Sequence, residues 1–158
     1  MQIEPYDESR LEAVVALSLR AWAPVFASIE AAMDTEVYRR QHPDWRETQK
    51  AAVEAVCGDP GVAVWVATDE GRTLGFTALQ LHEDDRMGEI FMIAVDPDHQ
   101  RRGIAGALTQ HALGWFAEAG MTTVMVETGG DPGHAPARAT YEAAGFRPLP
   151  TVKYFRTV

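Results

Sequence analysis

Cysteine is nearly missing from this chain. Cys57 is the only one among 158 residues, so no internal disulfide can form. A reducing, cytoplasmic setting is the simplest expectation. No unbroken run of about 18 apolar residues is apparent, so no membrane span is expected. The opening MQIEPYDESR lacks the basic and then apolar character of a secretory signal. Basic residues are also scarce, 14 Lys and Arg against 23 Asp and Glu, for a formal charge of -9. That balance disfavours nucleic acid, which needs a basic face to displace counterions. It suits cationic small molecules, although acidity also serves solubility alone. The five histidines form no HExxH pattern and no cysteine pairs exist, so no metal is expected. Neither GxxxxGK[ST] nor a GxGxxG after a first strand occurs, which sets aside the two commonest nucleotide loops.

What is present suffices for one core. With 46% hydrophobic residues, residues 1–158 read as a single domain. Apolar spacing from Ser9 to Ala21 predicts a helix, interrupted at Pro24 because proline lacks the helical amide. A second helical region lies within Asp34–Val56, broken at His42-Pro43. Strands are predicted at Val62–Ala67, Thr73–His82 and Glu89–Val95, separated by the turns TDEGR and EDDRMG. A helix over Gly103–Ala119 stops at Gly120. A strand at Thr122–Glu127, a loop GGDPGHAP, a short helix ARATYEAAGF and a last strand at Val152–Thr157 complete the chain. Consecutive strands should pair antiparallel, and the strand–helix–strand unit Glu89–Glu127 should pair parallel. The expected class is α/β: a mixed, mostly antiparallel central sheet with helices on both faces.

One stretch combines charge and glycine. In Gln100-Arg101-Arg102-Gly103-Ile104-Ala105 a strand has ended and a helix begins. The first amides of a helix lack internal partners and carry partial positive charge, so they can hold a phosphate. A plain turn before an amphipathic helix explains the same residues equally well.

The pattern [QR]-x-x-G-x-[GA] after a V-D-P turn resembles the pyrophosphate loop of the GCN5-related N-acetyltransferases. Ile93-Ala94-Val95 matches that family's strand beside the pantetheine arm. ATYEAAGF, Ala139–Phe146, is similar to its A-x-x-x-Y-E-x-x-G-F signature. The resemblance covers roughly residues 62–158, and it makes residues 1–60 the helical, acceptor-side region. It implies the family's acyl-CoA N-acyltransferase fold and acetyl-CoA as co-substrate, with no metal. It further implies direct transfer of the acetyl group to a primary amine in a ternary complex. Gln100, Arg101, Arg102, Gly103, Ile104, Ala105 and Gly106 would hold the pyrophosphate. Ile93, Ala94 and Val95 would meet the pantetheine and polarise the thioester carbonyl.

By the same resemblance Tyr141 is the acid for the departing thiolate and a cofactor contact, or else a core tyrosine. Glu89 and Glu127 are the alternative bases, with Glu89 preferred; each could equally be a solvated strand-end residue. His134 stands where many relatives carry an asparagine that contacts the pantetheine, and so is either a cofactor contact or a surface histidine. For the acceptor, Trp22 and Phe26 offer aromatic surface, and Glu30 and Asp84 offer negative charge. A small polyamine-like or aminoglycoside-like amine is the expected acceptor, with dimerisation among the implied assemblies. The alternatives are a protein N-terminal or lysine acetyltransferase, and a CoA-binding module without catalysis.

Overall fold

A computed structural model describes residues 1–158. Its order is β1 (Gln2–Pro5), α1 (Leu11–Ala32), α2 (Thr35–Gln41), α3 (Trp45–Gly58), β2 (Ala63–Asp69), β3 (Arg72–His82), β4 (Met87–Val95), α4 (Ile104–Glu118), β5 (Thr123–Met125) and α5 (Ala135–Ala143). The five strands lie in sequence order in one sheet. All neighbours are antiparallel except β4 and β5, which pair parallel across the α4 crossover, as the strand–helix–strand reading requires.

Both faces are covered. Val14 and Leu17 of α1 and Val53 and Val56 of α3 pack on Val66, Phe76, Ala78 and Ala94. On the other face Ala112 and Phe116 of α4 pack on Leu79 and Ile90, while Ile104 and Leu108 cover Ala67, Leu74 and Val95. Alternation along β3 directs Phe76 and Ala78 to one layer and Leu79 to the other. The α4 helix lies so close that a Cβ on Gly88 would collide with the Phe116 ring.

Several expectations need correction. Helix α1 runs through Pro24 instead of stopping there. Its stripe of Val14, Leu17, Ser18 and Phe26 is buried on both sides of the proline, and that packing outweighs one lost hydrogen bond. The stretch Glu8–Ala32 is also, by length and hydropathy alone, apolar enough to cross a membrane, contrary to the reading of its sequence. Here it packs against the sheet through that stripe. The first strand, β1, escaped notice because QIEP is short and ends in proline; it is an edge strand, paired with β2 alone. The expected final strand at Val152–Thr157 is absent, and the segment is exposed chain. Its β-rich residues have no neighbouring strand to pair with, and β propensity is realised only in such pairing. Finally, β5 forms three ladder positions where six residues were expected.

The break at His42-Pro43 holds, with Asp34 and Asp44 capping α2 and α3 through their side chains. Gly120 and Gly145 take left-handed φ values of 79° and 92° just past α4 and α5.

Candidate active site

The shortness of β5 creates the site. Pairing with β4 stops at Glu89↔Met125, and the chain then leaves the sheet. Beyond that point β4 keeps β3 on one side only, and its other backbone edge is unpaired from Ile90 to Val95. A register shift opposite Ala78/Leu79 inserts Phe91, which is 44% exposed, as a bulge at the mouth of the split. Ile93 lies half-buried along this stretch, and Ala94 and Val95 are buried.

The free edge leads to the start of α4. Arg101 (φ 63°) and Gly103 (φ 81°) both adopt left-handed backbone, which turns the chain sharply into the helix. The amides of Ile104, Ala105 and Gly106 donate to no backbone carbonyl. A Cβ at Gly103 or Gly106 would meet no protein atom within 4 Å, so neither glycine is there for packing against the sheet. Arg101 and Arg102 are exposed and form no ion pair. Gln100 is used differently: its Nε2 donates to the Val95 carbonyl at 3.2 Å and ties the loop to β4. Free amides, open space and two unpaired guanidinium groups fit a pyrophosphate.

Tyr141 is 6% exposed on α5. Its ring meets Phe146 edge-on at 5.9 Å, and Phe146 packs on the cluster containing Ile90, Ile93 and Val126. That contact anchors the Tyr141 ring on the face of the sheet covered by α4, the face that carries Ile90. Burial pushes the phenol's pKa up to about 12, so it remains a proton donor at neutral pH.

The acceptor-side residues separate into distinct surroundings. Glu89 is 17% exposed, and its Oε2 lies 2.7 Å from His82 Nε2. It shares its face of the sheet with Met92 and Ala94, the side covered by α1. Glu127 lies past the end of β5, is 77% exposed and faces Lys153 at 3.7 Å, away from such an enclosure. His134 is neither free nor superficial: its Nδ1 is bonded to Asp131. Phe26 is 7% exposed and stacked on Trp45 at 4.4 Å, so it serves helix packing. Trp22 is half-buried, its edge toward Phe76. Glu30 is exposed on α1, and Asp84 is exposed in the turn between β3 and β4.

Three polar residues went unnoticed in the sequence. His82 became visible only when pairing of β3 with β4 placed it beside Glu89. Asp131 and Ser28 are more than 100 positions apart, yet both hold the loop that carries His134. Local signals existed for Asp131 alone, since Asp-Pro followed by glycine marks a turn.

A split parallel pair, free helix amides beyond its open end and a buried phenol on α5 are features that an acyl thioester of a phosphorylated carrier would fit. The chain matches the acetyltransferase (GNAT) family over residues 26–146 and belongs to it. Members of that family are acetyl-CoA-dependent N-acetyltransferases. Mycothiol acetyltransferase of Rhodococcus opacus (strain B4) is 33% identical over 126 residues, covering 73% of this chain and 41% of that protein. The chain therefore spans about two fifths of the length of that relative. Among solved structures, an aminoglycoside 6'-N-acetyltransferase from Acinetobacter haemolyticus superposes with a TM-score of 0.69 at 17% identity, covering 100% and 99% of the two chains. A second aminoglycoside 6'-N-acetyltransferase, in complex with CoA, has a TM-score of 0.66 at 18% identity, covering 99% of each chain.

Proposed function

We propose that this chain transfers the acetyl group of acetyl-CoA directly to a primary amine of a small cationic molecule, polyamine-like or aminoglycoside-like. The observation that carries this reading is the split after Glu89↔Met125, with the open start of α4 at one end and the buried Tyr141 on α5. Relatives named for mycothiol and aminoglycoside acetylation support a small-molecule acceptor.

The geometry supports the following roles. The amides of Ile104–Gly106, with Arg101 and Arg102, hold the pyrophosphate. The unpaired edge at Ile93–Val95 lines the pantetheine arm, and its amides polarise the thioester carbonyl. Tyr141 protonates the departing thiolate. Glu89, braced by His82, offers a half-buried carboxylate that draws the acceptor ammonium to the split.

A thiol-release assay with acetyl-CoA against polyamines, aminoglycosides, amino acids and peptides tests this. Turnover is expected with the first two classes. Turnover confined to peptides would overturn the small-molecule acceptor in favour of an N-terminal or lysine acetyltransferase. Acetyl-CoA binding without turnover of any amine would leave only a binding module.

A further inference from the structure

Glu89 is the last residue of β4 to pair with β5, and the unpaired edge begins at the next position. Across the hairpin Glu89 pairs with Gln80, while His82 stands opposite Met87. His82 and Glu89 are therefore diagonal neighbours on one face of the sheet, a spacing that long side chains can bridge. His82 Nε2 meets Glu89 Oε2 at 2.7 Å. A carboxylate only accepts, so Nε2 carries the proton and donates.

This bond makes the two oxygens of the carboxylate unequal. Oε2 is taken, and the imidazole ring stands against it. Oε1 has no partner in the chain and is reached by solvent. No lysine or arginine pairs with Glu89, so no neighbouring cation neutralises its charge. The carboxylate at the start of the split thus offers one oxygen to a ligand.

Cations differ in what they ask of a carboxylate. An ammonium is a compact point charge that a single oxygen satisfies. A guanidinium is a planar fork whose two parallel N–H groups match both oxygens at once. With Oε2 engaged, the fork can place one N–H and leaves the other facing the imidazole.

We propose that His82 is a positioning residue that sets acceptor specificity: by holding Oε2 it makes Glu89 a one-oxygen site, which favours a primary ammonium over a guanidinium. The proposal rests on the acetyltransferase reading above, in which Glu89 draws the acceptor to the split. It narrows the acceptor class to alkylammonium compounds and sets guanidino compounds aside. The selection suits the reaction, since an amine can shed its proton and attack, whereas a guanidinium, with a pKa above about 12, stays charged.

The test compares 1,4-diaminobutane with 1,4-diguanidinobutane, alike in charge and spacer, by calorimetric titration of the full chain in the presence of CoA. Wild type should hold the diamine about tenfold more tightly than the diguanidine. His82→Ala frees Oε2 and should bring that ratio to about one or below, chiefly by tightening the diguanidine. His82→Gln keeps an N–H donor and should restore most of the preference. Glu89→Gln should weaken both cations, and adding His82→Ala to it should leave their ratio unchanged. A merely structural role would weaken both ligands together; that result, or a ratio in His82→Ala within about twofold of wild type, would overturn the proposal. So would binding that Glu89→Gln leaves intact, or no binding of either cation by wild type. Thiol release from acetyl-CoA judges the activity separately. Turnover of no amine would refute the acetyltransferase reading, and the binding ratio would still decide whether His82 sets the preference.

Discussion

Tyr141 shows how a residue's surroundings choose among its roles. Its phenol is buried enough to stay protonated through the physiological range, and burial alone accounts for the shift. Tyr141→Phe should therefore slow turnover by about 10²–10⁴ while leaving acetyl-CoA affinity nearly unchanged, as steady-state kinetics and calorimetry would show. Asp131 is the opposite case. Its burial favours the neutral acid, but hydrogen bonds from Ser28 and His134 prevail and hold its pKa below the usual carboxylate range. A depressed folded pKa contributes stability above the unfolded value, about 3.9, and that contribution is lost as pH falls through the folded value. Urea unfolding between pH 6 and pH 2 should show wild type losing its advantage over Asp131→Asn below about pH 4. The sequence displays Tyr141 plainly because its neighbours form a contiguous signature. The partners of Asp131 are invisible there, because Ser28 reaches the loop only through the docking of α1.

At the scale of elements, proline and glycine each acted in two ways. Pro24 sits inside α1 and forfeits one backbone bond, so Pro24→Ala should stabilise the chain by about 1–3 kcal/mol, measured by chemical denaturation. A loss of stability would mean that the proline holds a bend the sheet needs. Gly88 faces Phe116 with no room for a methyl group, and Gly88→Ala should cost about 1–3 kcal/mol. Gly103 differs from both, for a side chain there meets open space and a left-handed backbone. Gly103→Val should weaken acetyl-CoA binding more than it lowers stability. Periodicity marked α3, α4 and the strands from β2 to β4, where packing and local propensity agree. It failed for α1 past Pro24, where burial against the sheet carries the helix onward. It failed again for Val152–Thr157, where no partner strand lies alongside.

The whole molecule carries a formal charge of -9, yet presents two unpaired arginines at the start of α4. A cationic acceptor, as proposed, would approach an attractive field, while acetyl-CoA would have to be drawn locally against a repulsive one. Raising salt from about 0.02 to 0.3 M shortens the screening length several-fold. The KM for a polyamine should rise severalfold, and that for acetyl-CoA should change less or fall; equal increases for both would place the arginines outside the cofactor site.

Helix α1 is fastened near both halves of the site. Arg20 bridges to Asp96 at 3.1 Å and to Asp98 at 2.7 Å, just before the pyrophosphate loop. Eight residues on, Ser28 grips the loop of His134. One helix therefore holds the turn before α4 at one fastening and the loop before α5 at the other. Whatever factor acetyl-CoA applies to the affinity for the amine, the amine must return to acetyl-CoA in equal measure. Severing Arg20 from its two aspartates is then a way to ask how much of that exchange a single helix conveys.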